Sequence, residues 1–83
     1  MNDQLRAALL DMINDENLEW TARGAAGTTF RYYDNESPGG YRLLTTAERQ
    51  ELKAMLAEGE VKLEPGWRHH KGLVRPAQPS LFG

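Results

Sequence analysis

Residues 5–22 read Leu-Arg-Ala-Ala-Leu-Leu-Asp-Met-Ile-Asn-Asp-Glu-Asn-Leu-Glu-Trp-Thr-Ala, and the hydrophobic period changes within them. Leu5, Ala8, Leu9, Met12 and Ile13 recur at the spacing of one helical face. Asn2 and Asp3 are suited to cap that helix, which should run to about residue 14. The polar cluster Asn14-Asp15-Glu16-Asn17 ends it, because these side chains compete for backbone hydrogen bonds. Leu18, Trp20 and Ala22 then alternate with Asn17, Glu19 and Thr21, the pattern of a half-buried strand. A helical period followed at once by a strand period predicts an α+β fold.

The segments on the C-terminal side extend this reading. Residues 28–33 are rich in β-branched and aromatic side chains and read as a second strand. Asp34-Asn35-Glu36-Ser37-Pro38-Gly39-Gly40 is a loop, and residues 41–45 form a third strand. In this meander Phe30 and Leu44 face inward, while Arg31, Arg42, Tyr32, Tyr33 and Tyr41 divide between the two faces. Thr45-Thr46-Ala47-Glu48 has the composition of a capping box, opening a helix from about residue 46 to 58. Its apolar stripe is Leu52, Met55 and Leu56, and Gly59 is placed to close it in the left-handed conformation. Val61 and Leu63 alternate with charged residues as a short strand, and Glu64-Pro65-Gly66-Trp67 suits a type II turn. Residues 67–70 form either one more short strand or a loop.

The predicted architecture is therefore a helix, a three-stranded antiparallel meander, a second helix and one or two short strands. Both helices should lie on one sheet face and bury Leu5, Leu9, Met12, Ile13, Trp20, Phe30, Leu44, Leu52 and Leu56. A mostly helical body with a hairpin insert is the alternative. Residues 1–74 make up the domain, and residues 75–83 a disordered or loosely attached tail.

With 83 residues and no cysteine, the chain has one small core and no disulfide framework. Domains of this size often gain stability from a partner or a homodimer. No signal-peptide pattern and no apolar run of membrane length occurs, so a cytoplasmic chain without a membrane association is expected. The net charge of −2 is unevenly spread. Asp3, Asp11, Asp15, Glu16 and Glu19 face only Arg6 in residues 1–22, whereas residues 65–83 carry Arg68, Lys71 and Arg75 without an acid. A DNA mimic needs a denser acidic face, so the early acids read as a solvated helix surface.

Little in the chain suggests catalysis. Arg68-His69-His70-Lys71 holds both histidines, but neighbours on a strand point to opposite faces and do not make a two-histidine metal site. Ser37 and Ser80 lack a nucleophile elbow, and Pro38-Gly39-Gly40 lacks the lysine of a phosphate loop. We therefore expect no enzyme, no cofactor and no metal. Arg31, Tyr33, Arg42, Arg68 and Lys71 are the candidate contacts for a nucleic acid or a protein partner. Ordinary cross-strand packing with solvated arginines is the favoured reading of the hairpin residues, since Asp34 and Glu36 lie beside them and the surroundings are not basic.

The last six residues, Gln78-Pro79-Ser80-Leu81-Phe82-Gly83, carry the most specific chemistry. Glutamine, two spacers and then Leu-Phe resembles the short peptide with which bacterial DNA polymerases, mismatch-repair proteins and many phage-borne DNA enzymes dock on the sliding clamp. The resemblance implies that Gln78, Leu81 and Phe82 contact the clamp and that the chain works in DNA replication or repair, as recruiter or inhibitor. Pro79 is a less usual first spacer in that family. The small body looks like a phage or prophage accessory protein. Two other expectations stand beside this one. The folded body is a host-directed inhibitor that binds another host protein, with an exposed patch around Tyr32, Tyr33 and Tyr41, or it is a weak single-stranded nucleic-acid binder.

Overall fold

A computed structural model of the chain describes residues 3–22, 27–66 and 70–77. Helix α1 spans Asp3–Asn14 and buries Leu9, Met12 and Ile13. It stops where Glu16 takes a left-handed conformation, φ 61°. That turn lets the Asn17 N–H donate to the Met12 carbonyl at 3.1 Å and sends the chain back across the helix.

Strands β1 (Leu18–Ala22), β2 (Thr28–Tyr33) and β3 (Tyr41–Leu43) follow as an antiparallel meander. The loop between β2 and β3 turns through a short 3-10 segment, Pro38–Gly40, in which Gly39 and Gly40 both have positive φ. Helix α2 runs over Thr46–Glu58. Its N-terminus is a complete capping box. The Glu48 N–H donates to Thr45 Oγ1 at 3.1 Å, and the Thr45 N–H returns to Glu48 Oε1 at 2.8 Å. Gly59 closes the helix in the left-handed region, φ 80°. Strands β4 (Val61–Pro65) and β5 (Lys71–Pro76) complete one five-stranded sheet in the order β3-β2-β1-β5-β4. Helix α2 thus carries the chain from one sheet edge to the other, and β5 returns to fill the gap beside β1.

This α+β fold agrees with the sequence reading in both helices and four of the strands. β5 is the difference. It begins at Lys71, directly beyond the strand considered at 67–70, of which residues 67–69 fall outside the described residues. The boundary drawn at residue 75 also cuts through β5, since Arg75 pairs with Lys62 and Pro76 with Val61. Lys71-Gly72-Leu73-Val74-Arg75-Pro76 has a glycine within and a proline at its end, so it lacks strand composition. Pairing with β1 on one side and β4 on the other makes it a strand.

Both helices cover the same sheet face. Leu9, Met12, Ile13, Leu52 and Met55 meet Leu18, Trp20, Phe30, Leu44, Val61 and Val74 in one core. Leu5 and Leu56, expected inside, are partly buried at its margin, and Val61 and Val74 join it unexpectedly. Gly72 sits opposite Trp20 in the sheet register. A Cβ at this glycine would collide with the Glu64 carbonyl oxygen. Trp20 reaches across it, and its Nε1–H donates to that carbonyl at 3.2 Å. Arg6 ties α1 to the second half of the fold, within 2.7–3.1 Å of carboxylates on Glu51, Glu58 and Glu60. Among the described residues no helix is long and apolar enough to cross a membrane.

Candidate partner-binding face

Successive side chains on β2 and β3 point to opposite sides of the sheet, so the hairpin residues divide sharply. Tyr32 pairs with Arg42 in register, and both lie on the side covered by helices. The Arg42 guanidinium stands 5.3 Å from the Tyr32 ring centre. It grips Glu48 through two parallel bonds, Nη1 to Oε1 at 2.8 Å and Nη2 to Oε2 at 2.9 Å. Glu48 is only 7 % exposed. The Arg42 fork, helped by the Thr45 N–H, holds the Glu48 carboxyl below its ordinary value against the opposing pull of burial.

The other side of the sheet carries no helix. Tyr33 pairs with Tyr41 in register and Arg31 with Leu43, all pointing away from the core. Tyr33, Tyr41 and Leu43 are 40 %, 38 % and 57 % exposed, the large apolar side chains most open to solvent among the described residues. The Arg31 guanidinium lies 4.4 Å from the Tyr41 ring centre, a stacked cation–π contact that fixes an otherwise flexible side chain. Thr21, Thr29, Arg31, Tyr41 and Leu43 line a shallow depression of about 300 Å³ on this face.

Glu19 is next to Arg31 in register but pairs elsewhere, 3.8 Å from Lys71 Nζ on β5. Its Oε1 is buried and finds no hydrogen-bond partner. Burial, and then the negative charge of Glu19, push the Tyr33 phenol above its ordinary value, while Arg31 acts in the opposite sense. Tyr33 therefore presents a neutral hydroxyl at physiological pH.

Of the residues singled out in the sequence, the structure brings Arg31, Tyr33 and Lys71 onto one face and separates them from Arg42. Arg68, Gln78, Leu81 and Phe82 lie outside the described residues. Of the tyrosines named as a patch, Tyr33 and Tyr41 are exposed together, whereas Tyr32 is half-buried under α2's side of the sheet. Thr21, Thr29 and Leu43 were not foreseen. Leu43 and Leu44 are adjacent, so one must turn outward while the other enters the core, and strict strand alternation from Phe30 through the register identifies which.

Chemically, this face offers two tyrosine rings with hydroxyls, one open leucine, two threonine hydroxyls and a fixed guanidinium. Aromatic, arginine and apolar groups set side by side are the composition of residues that anchor protein contacts. Comparison with protein families, with curated proteins and with solved structures finds no match.

Proposed function

We propose that this chain is a non-enzymatic interaction protein that docks on a bacterial sliding clamp through Gln78, Leu81 and Phe82. The observation that carries the reading is the spacing Gln78-x-x-Leu81-Phe82 directly after a pinned strand. The Ala77 N–H donates to the Glu60 carbonyl at 3.1 Å, so the motif starts one residue beyond a fixed point at the end of β5. Burying one leucine and one phenylalanine in a groove contributes roughly 3–6 kcal/mol. Ordering and association costs consume much of that, which makes such a peptide a weak ligand by itself. Gln78 sets register through its amide, and Pro79 limits the conformations lost on docking. The folded body is then either brought to DNA at the clamp or held over the clamp groove to exclude a polymerase.

The test is clamp binding by the intact chain and by a Leu81→Ala/Phe82→Ala variant shown to be folded by circular dichroism. Binding of the first, lost in the second and displaced by a peptide bearing a known clamp motif, is the expected result. Absence of binding by the intact chain, or binding that persists against the competitor, removes the reading. A truncation should begin at residue 78, because an earlier one removes the Ala77 bond to Glu60 or cuts into β5.

A second reading draws on the exposed Tyr33, Tyr41 and Leu43: the folded body holds a partner protein, and the tail is not needed.

A further inference from the structure

We infer that the helix-free sheet face binds an acidic protein segment, with a partner carboxylate on Arg31 and an apolar partner side chain on Leu43. The inference rests on the second reading, that the body holds a protein, and is independent of the tail.

Charge distinguishes Arg31 from most of its neighbours. Across this face Lys71 is satisfied by Glu19 at 3.8 Å, and Arg75 by Glu16 at 2.8 Å and Glu64 at 3.9 Å. On the opposite face Arg42 is committed to Glu48. Arg31 has no carboxylate within ion-pairing distance among the described residues, although Glu19 stands opposite it in register; its contacts are the Tyr41 ring and the Tyr33 hydroxyl. Stacking on a ring leaves the edge of a guanidinium, where its N–H donors lie, open to a planar carboxylate. Arg31 borders a depression whose remaining walls are Leu43, Tyr41, Thr21 and Thr29. One anion and one apolar group, presented a few ångströms apart, would match this surface.

Charge complementarity also separates a protein from a nucleic acid. A phosphate backbone needs a track of unpaired cations. Here Glu19 and Glu64 interrupt the face and neutralise Lys71 and Arg75, while Lys62 lies three strands from Arg31 at the far sheet edge. A single guanidinium without an ion pair, held on a ring beside open apolar surface, suits one carboxylate within a peptide.

A displayed library of random twelve-residue peptides, selected on the intact protein, tests the proposal. Recovered peptides should share an Asp or Glu close to a Leu, Phe or Ile. Their binding to Arg31→Gln and to Leu43→Ser should each weaken about tenfold or more, and Arg31→Lys should retain part of it. Both positions lie on the solvent side, and chemical denaturation confirms that the variants stay folded. Peptides that bind this face without an acidic residue would overturn the inference while leaving the second reading intact. Recovery of no peptide sensitive to either substitution would overturn both. Retardation of a fifteen-residue oligothymidine that is abolished by Arg31→Gln would overturn it in favour of nucleic acid. Concentration-dependent dimerisation abolished by Leu43→Ser would assign the face to a second copy instead.

Discussion

Arg31 and Arg42 stand on adjacent strands of one hairpin, a single residue apart in register, and the sheet sends them into different chemistry. Arg42 enters the side with helices, where Glu48 is already aimed by its own capping box. There the guanidinium closes a structural joint between β3 and the start of α2. Arg31 emerges on the side without helices and is held by a tyrosine ring, with no carboxylate in ion-pairing distance among the described residues. The same contrast extends over the whole sheet. One face is filled by leucine, isoleucine, valine and tryptophan, and the other exposes tyrosine and leucine around a shallow depression. The lesson is that arginine or tyrosine content in a hairpin does not define an interface. Which parity each residue occupies, and what meets it there, does.

The largest expected effect sets the two faces directly against each other. Leu52 is fully buried, so Leu52→Ala should cost about 2–5 kcal/mol in urea denaturation. Leu43→Ser, on the open side, should change stability by no more than about 0.5 kcal/mol. A large loss at Leu43 would mean that its face is covered.

The joint between the last two strands comes next. Gly72→Ala places a methyl group against the Glu64 carbonyl and the Trp20 contact, and should destabilise by about 1–3 kcal/mol. A neutral result would show that β4 can shift away from β5, and the same denaturation curves measure it.

The arginine pair sharpens the contrast further. Arg42→Ala leaves the Glu48 carboxylate buried without its fork, and should cost about 1–2 kcal/mol, allowing for the partial exposure of the pair. Arg31→Ala removes an exposed ring contact worth at most about 1 kcal/mol. Reversal of that order would refute the division of roles.

Acid dependence is the finest test. Glu48 and Glu58 are held below the ordinary value of 4.5 by Arg42 and Arg6 respectively. A carboxyl with a depressed folded value contributes stability that is complete above its unfolded value and lost as pH falls through the folded one. Stability should thus be level down to about pH 5 and decline below it, and Arg42→Ala should make the decline shallower. Equal slopes for the two proteins would show that Glu48 does not depend on Arg42.

Much of the fold was legible in residue order. The period change between Ile13 and Leu18 announced a helix followed by a strand, and the Thr45–Glu48 pattern located the start of α2. Gly59 marked the end of α2, because a left-handed closure favours a residue without Cβ. The candidate site was legible only in part. Arg31, Tyr33, Tyr41 and Arg42 were recognisable as a group, but the helix Glu that claims Arg42 is six residues away and belongs to a different element. Leu43 resembled its neighbour Leu44 until the strand register separated them.

By itself the sequence determined what depends on near neighbours: helix periodicity, caps, turns, strand alternation and the Gln78-x-x-Leu81-Phe82 spacing. Only the tertiary structure decided β5, because Lys71–Pro76 becomes a strand through partners on both sides rather than through its own composition. It also decided which sheet face received the helices, and so which arginine was neutralised and which was left to a ring. Those outcomes depend on side chains that meet from distant parts of the chain, such as Arg6 with Glu58 and Trp20 with Glu64, and local preference does not encode such meetings.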